Sequence, residues 1–372
     1  MTTELFRDLP MLADIMRQEA VLTTLFARAD HFRAVGSDRL RPDAGGRLFV
    51  FGCGDGWTAA RATCLAWDGA SRVVPQAVTS LGMVLASARL TAADRGIAIS
   101  MSGSVDRTNA AAQAIEAAGG TCVALTNEDG GPLGAIASTV ASLHVPDVAA
   151  FLTGTARYSA TVLALMFLLE GALGARAQAL DAAVADFLVT GLPALLAEAN
   201  RRTQAVAANL ADQGLAGIRV LGAGSDWGTA EYGAAKLVKL YDGPVWGAEI
   251  EEYAHSQFWS ANAGEVVVLL AGSAESAHLA GNTASALREA GMRTVSVETS
   301  GHEVKSASHR IRLPAIPTAL APIAQAIPLQ LLAYHLSIAL GGNPNMSQDK
   351  GDPARFLAAQ LLSRRCELAP AS

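Results

Sequence analysis

The sequence predicts an α/β protein built from two similar units in tandem. Each unit is a parallel sheet with helices on both faces; a helical segment precedes them and a tail follows. Three observations carry this. Two glycine turns echo each other, "LFVFGCGDGWTAA" (48–60) and "IRVLGAGSDWGTA" (218–230), starting 170 residues apart (222 − 52) in a chain of 372. A spacing of nearly half the chain is a duplication signal. Short apolar runs alternate with helix-length stretches through both halves, the pattern of parallel sheets. Hydrophobic residues make up 51% of the chain and charged ones 17%, enough apolar material for two cores.

The elements follow in order. Residues up to about 30 show helical apolar spacing (Leu5, Leu9, Leu12, Ile15, Met16, Leu22, Leu25, Phe26), and a polar stretch with Pro and Gly spans 36–46. Strands are expected at 48–51, 72–78, 96–101, 121–125 and 140–145, with helices at 58–66, 81–88 and 107–118 between them. A long helix covers 156–173, and helices at 180–188 and 192–210 form a bridge. The alternation then restarts. Strands are expected at 218–221, 244–246, 266–270, 294–297 and 310–313, with helices at 228–240, 249–258, 276–290 and 319–340. The tail "GGNPNMSQDKGDPARF" carries turn residues and ends in a short helix. The boundaries are 1–35 for the helical segment, 36–175 for the first unit, 176–345 for the linking helices and second unit, and 346–372 for the tail.

The bulk properties exclude several classes. A net charge of −6 with no Lys/Arg run argues against nucleic acid as a partner. The N-terminus lacks a basic start followed by an apolar core, so no secretory signal is read. The most apolar segment, 160–169, is too short to span a bilayer and ends at Glu170. Cys53, Cys64, Cys122 and Cys366 form no CxxC and read as free thiols, which places the protein in the cytoplasm. No His/Cys/Asp cluster has metal spacing, so no metal is expected.

Glycine between a strand and a helix allows a tight turn and exposes amide groups at a helix start. The two turns read GxGxG and GxGxxxG rather than GxGxxG, so no dinucleotide cofactor is expected. A stronger signal is "ISMSGSVDRT" (99–108), where a strand runs into Ser-x-Ser-Gly and then a helix. Ser100, Ser102, Gly103, Ser104, Arg107 and Thr108 could converge on one anion there, favoured by the helix dipole. Capping by Ser104 or Asp106 would explain only part of the cluster.

With these motifs the chain resembles the double sugar-isomerase-domain (SIS) family, including the isomerase half of glucosamine-6-phosphate synthase and the fructosamine-6-phosphate deglycases. The likeness rests on G-C-G at the first turn, S-x-S-G, "GAAKLVKL" (233–240), "GAEIEEYAHSQF" (247–258) and the "GGNP" tail. It implies two flavodoxin-like three-layer units, aldose–ketose or amino-sugar chemistry, and a homodimer whose partner subunit completes each site.

The resemblance places Ser100 and Ser102 on the phosphate-loop serines. Val105 stands where a threonine usually does. At the first turn, next to Gly54, the hydroxyl positions of relatives hold Asp55 and Gly56. A carboxylate touching a phosphate dianion costs several kcal/mol at an effective dielectric of about 20. Either Asp55 points away, or a cation such as Arg107 or Arg61 offsets it, or the sugar carries a sulfonate or no anion. His255 matches the ring-opening histidine, a role suited to a group titrating near neutrality. Lys236 and Lys239 fall on a Lys and a Glu of the synthase branch. Glu252, then Glu249, are the candidate bases, and Glu231 is a further one. Lys350 matches a tail lysine that meets the sugar carbonyl. The implied activity is isomerisation of a hexose with an anionic substituent, by ring opening and enediol proton transfer. A deglycase and a non-catalytic sugar-phosphate sensor are the alternatives.

Overall fold

The computed structural model describes residues 10–67, 73–149, 154–174, 177–345 and 352–364. Three helices open it: α1 (Pro10–Met16), α2 (Gln18–Phe26) and α3 (Ala29–Arg39). The first unit runs β1 (Leu48–Gly52), α4 (Asp55–Leu65), β2 (Gln76–Thr79), α5 (Ser80–Leu85), β3 (Arg95–Ile99), α6 (Asp106–Ala117), β4 (Thr121–Thr126), α7 (Pro132–Ile136), β5 (Thr139–Ser142) and α8 (Ala156–Leu173). Helices α9 (Ala177–Asp186) and α10 (Leu192–Asp212) link it to the second unit. That unit runs β6 (Gly217–Gly222), α11 (Ser225–Leu240), β7 (Val245–Glu249), α12 (Ile250–His255), β8 (Glu265–Ala271), α13 (Ala274–Glu289), β9 (Arg293–Thr299), β10 (His309–Leu313) and α14 (Ala321–Ala339). The described part of the tail holds α15 (Pro353–Arg364).

Both sheets are parallel and share one topology. The first has the order β2-β1-β3-β4-β5; the second, read from β7, has the order β7-β6-β8-β9-β10. Each first-strand-to-helix turn also takes the same backbone shape: Gly54 at φ 53, ψ −121 and Gly224 at φ 55, ψ −128. L side chains avoid this region, so glycine is required at both positions. Same order and same turn support the duplication read from the sequence. The 2-1-3-4-5 order is the flavodoxin-like one, not the dinucleotide order, which agrees with the poor GxGxxG spacing.

The units meet where α4 crosses α11. At Gly228 an added Cβ would lie 2.4 Å from the Ala62 backbone nitrogen, so only glycine permits this approach. Helices α8 and α14 back the pair, and their apolar faces merge with the inner strands into one core.

Three expectations change. The polar stretch from 36 is not all loop, because α3 continues to Arg39. Gly36 lets α3 pack so closely on α8 that an added Cβ would sit 2.2 Å from the Leu168 carbonyl oxygen; packing overrides the local signal. The two bridging helices are joined by a π-helical turn, Phe187–Gly191, rather than by a break. The apolar segment at 160–169, too short by itself to span a bilayer, lies in the expected helix at 156–173, which is not too short. Ala156–Leu173, Leu180–Asp212 and Thr318–Ala339 are each long and apolar enough, by length and composition, to cross a bilayer. The apolar stretches of the first and third are 83% and 94% buried inside the protein, so their hydrophobicity goes into the core. The second is 33% buried, and its α10 portion packs on α14.

Candidate functional site

In an open parallel sheet, ligands bind beyond the carboxyl ends of the strands where the strand order reverses. In the first unit that point lies between β1 and β3, whose register pairs Gly52 with Ile99. The next residues are the first glycine turn and Ser100. The two signals that stood out in the sequence are therefore neighbours.

The serine loop has unspent hydrogen-bonding capacity. Ser100 is 5% exposed and its hydroxyl has no partner among the described residues. Ser102 and Ser104 are exposed, with their hydroxyls 2.8 Å apart. Gly103 turns the chain at φ 62. Helix α6 then begins behind Val105 with no side chain capping its first amides. A buried orphan hydroxyl is costly unless a ligand completes it. Ser100→Ala should therefore leave the melting temperature nearly unchanged but weaken phosphate binding roughly tenfold, the worth of one hydrogen bond to a charged group. Calorimetric titration with inorganic phosphate checks this, and an unchanged affinity would remove Ser100 from the site.

Thr108 takes another role. It is fully buried; its hydroxyl lies 3.0 Å from that of Ser80 and donates to Cys53 Sγ at 3.7 Å. It braces the loop against the turn rather than facing the crevice. Arg107 is half-buried and has no ion-pair partner among the described residues.

The cation that offsets Asp55 is Lys236 of the second unit, in place of Arg107 or Arg61. Its ammonium donates to both carboxylate oxygens of Asp55, at 2.8 and 2.6 Å. Lys236 is fully buried; burial holds its pKa down to about 8, against the attraction of Asp55. The Asp55 carboxyl pays for burial too, yet Lys236 and Lys239 hold it below its ordinary value. With Lys239 half-buried one helical turn beyond, the two cations outweigh the carboxylate. The repulsion feared for a phosphate at this turn is thereby cancelled. Lys236 also lies 4.7 Å above the Tyr232 ring, which stacks on Tyr158 with 3.5 Å between centroids. The Tyr232 hydroxyl donates to the Gly154 carbonyl, and an added Cβ at Gly154 would come 3.0 Å from Asp55 Oδ2. Position 154 thus borders the site, a role the sequence did not show. Lys236 itself left a trace: it sits on the apolar face of α11 with Thr229, Tyr232 and Gly233, where a lysine demands a partner.

Arg61 goes elsewhere. It lies 4.4 Å from the Trp57 ring and 3.6 Å from the Trp227 ring, and pairs with Glu231 at 3.1 Å. Each member is matched across the repeat: Trp57 with Trp227 and Arg61 with Glu231, both at the 170-residue offset. Burial raises the Glu231 carboxyl pKa, against the attraction of Arg61.

The second unit fills its own crevice. Asp226 stands where the first unit has Gly56. It is 2% exposed and accepts the Gly272 amide at 2.9 Å, just past β8. Ser273 and Ser276 form a capping box that consumes the first amides of α13. Only the first unit leaves this place open.

The candidate bases make no hydrogen bond or ion pair with the serine loop among the described residues. Glu249 is the N-cap of α12, accepting from the Glu251 and Glu252 amides at 2.8 and 2.9 Å. Glu249 thus precedes the helix instead of opening it, as the expected helix at 249–258 had it. Glu252 and His255 are exposed, and His255 Nε2 lies 3.3 Å from Glu251. Helix α12 packs on β6 and β7 of its own unit, and Trp259 just beyond it is 82% exposed. Lys350 lies outside the described residues. Among the described residues no group of His, Cys, Asp and Glu is arranged to hold a metal ion.

Comparison with known proteins bears on the fold. Residues 216–340 match the SIS domain family. The isomerizing glutamine–fructose-6-phosphate aminotransferase of Pyrococcus horikoshii is 29% identical over 258 residues, covering 67% of this chain. That alignment spans 41% of the relative's length. The C-terminal domain of glucosamine-fructose-6-phosphate aminotransferase from Francisella tularensis superposes with a TM-score of 0.75 at 16% identity, covering 92% of this chain and 99% of that one. Glucosamine-6-phosphate deaminase from Thermotoga maritima gives 0.72 at 15%, covering 91% and 97%. Tagatose-6-phosphate ketose/aldose isomerase from Escherichia coli gives 0.67 at 17%, covering 90% and 94%. The second unit is thus an SIS domain by sequence, and the whole chain has the two-sheet fold of SIS proteins, similar to the isomerase part of glucosamine-fructose-6-phosphate aminotransferase.

Proposed function

We propose that the protein is a cytoplasmic aldose–ketose isomerase acting on a hexose that carries an anionic group. The observation that carries this reading is the open crevice of the first unit. There an unpartnered Ser100 hydroxyl, exposed Ser102 and Ser104, and the uncapped start of α6 adjoin an Asp55 neutralised by Lys236. The serines and amides hold the anion. The sugar chain extends past Gly54, where an added Cβ would meet nothing within 4 Å. Phosphate and sulfonate both fit this donor set; the relatives named for sugar phosphates favour phosphate. Ring opening and C1–C2 proton transfer fall to His255 and Glu252. Proton exchange at C2 of a hexose tests the isomerase. Release of an amino acid from a fructosamine phosphate would instead assign a deglycase, and binding without turnover a sensor.

We further propose that the working unit is a homodimer in which the partner subunit supplies α12. In support, Glu252, His255 and Trp259 face outward and make no hydrogen bond to the first unit among the described residues. Ser100→Ala/Ser102→Ala and His255→Ala should each be inactive. Mixed after co-refolding they should recover about a quarter of wild-type activity, because half the dimers are hybrids with one intact site of two. No recovery in hybrids shown to form would mean that both groups serve the same site within one chain.

A further inference from the structure

A second cleft lies far along the second sheet from its glycine turn, between α10 and the edge strand β10. Its volume is about 450 Å³, enough for a small ligand. Arg202 and Asn209 of α10 form one wall; Ser308, His309, Arg310 and Arg312 form the other. Three guanidinium groups thus face one space on a protein whose net charge is −6.

The arginines are held in place from behind. Glu298 is 1% exposed, and its Oε1 accepts from Arg310 Nε at 2.9 Å and lies 3.5 Å from Arg312 Nε. Its Oε2 accepts from the Ser296 hydroxyl and the Val304 amide, at 2.9 and 2.8 Å. One buried carboxylate therefore orients two guanidiniums and neutralises one. On α10 the part-exposed Glu198 is shared between Arg201 and Arg202. Glu198, Glu298 and Glu303 face a neighbouring cleft on the other side of Arg312. Burial and the nearby Arg293 lower the His309 pKa from its ordinary value. Charged side chains on an edge strand also discourage sheet-to-sheet pairing. That purpose requires exposed charge; it requires neither a buried carboxylate gathering two arginines nor a facing arginine across a cleft.

We propose that this cleft is a binding site for a phosphorylated small molecule, separate from the crevice of the first unit. Planar guanidinium forks suit phosphate oxygens: Arg202 rests on the part-exposed Glu198 through Nε, and Arg312 approaches the buried Glu298 through Nε, so both keep their outer nitrogens, while Arg310 spends Nε and Nη2 on Glu298 and keeps Nη1. Arg310 and Arg312 contact the phosphate from the strand, Arg202 closes from the helix, and Asn209 and His309 meet the remaining polar groups.

The test uses pyrophosphate as the probe, titrated calorimetrically at low salt into the full chain carrying Ser100→Ala/Ser102→Ala, which weakens the first crevice. Binding at one site per chain is expected, and adding Arg202→Ala/Arg312→Ala should weaken it by more than about tenfold. Both arginines are about half exposed, so the fold should tolerate the change. The single charge reversal Arg312→Glu should give the same loss. No binding in the serine variant, or binding indifferent to these arginines, would overturn the proposal. A failure of the isomerase reading would appear separately, as pyrophosphate binding identical in wild type and the serine variant together with an absence of turnover.

Discussion

Asp55→Ala should destabilise the protein by an amount that depends steeply on pH: on the order of 1 kcal/mol at pH 7, roughly double that at pH 6, and little above pH 8. The reason lies in Lys236, fully buried and held at about 8 by burial against the attraction of Asp55. Without the carboxylate its folded pKa drops further, and the lysine discharges instead of staying buried as an unpaired cation. The sign follows from proton counting. The unfolded lysine titrates near its ordinary value of 10.5, above the folded one, so stability rises with pH wherever the unfolded state holds the extra proton. Above about 8 the wild-type lysine is also discharged, and the two proteins converge. Below it the wild type keeps a paired cation that the variant lacks, and the gap widens by about 1.4 kcal/mol per pH unit. Adding Lys236→Met should recover most of the loss, because an apolar pair of similar volume replaces the ions. Urea unfolding of the four proteins of this cycle at several pH values measures the coupling. A loss independent of pH would show that Asp55 matters for some reason other than its lysine.

Gly228→Val should cost about 3 kcal/mol and weaken anion binding with it. The added Cβ would meet the Ala62 nitrogen at 2.4 Å and its Cα at 2.7 Å, and helix backbone cannot give way as a side-chain tip can. The helices α4 and α11 must part, which pulls Lys236 from Asp55 and the second unit from the crevice of the first. Without Lys236 beside it the Asp55 carboxylate repels an anion, so inorganic phosphate should bind the serine loop at least about tenfold more weakly. Turnover should fall by at least about a hundredfold, since a displacement of roughly 1 Å suffices for such a loss. An unfolding midpoint equal to wild type would contradict the close helix crossing.

The repeat was legible because its markers are local. A glycine turn needs particular residues at fixed offsets, and Gly54 and Gly224 show the same backbone angles. Strand and helix order followed from apolar spacing, with errors where tertiary packing decides, as at Gly36 against α8. The serine loop was legible for the same local reason. The partner of Asp55 was not, because Lys236 lies 181 positions away and the pairing exists only after the two units dock. Sequence reasoning looked to Arg61 and Arg107, which are nearer along the chain. Arg61 instead lies between two tryptophans that the repeat itself supplies. Thr108 looked like a ligand donor by its place after the loop, yet a hydroxyl one turn into a helix can equally face the sheet, and here it does. Glu249 was expected inside a helix at 249–258, but the helix begins after it, and Glu249 caps it.

The most direct test of the isomerase reading is hydrogen exchange at the sugar itself. The protein is incubated in D2O with hexose 6-phosphates, hexoses bearing a 6-sulfonate and plain hexoses, and the C2 proton of each aldose is followed by NMR. Enediol chemistry predicts loss of that signal, with ketose appearing, for an anionic hexose, and no loss in the Glu252→Gln variant although the sugar still binds. Retention of the C2 proton in every sugar by the wild-type protein would contradict isomerisation at this site.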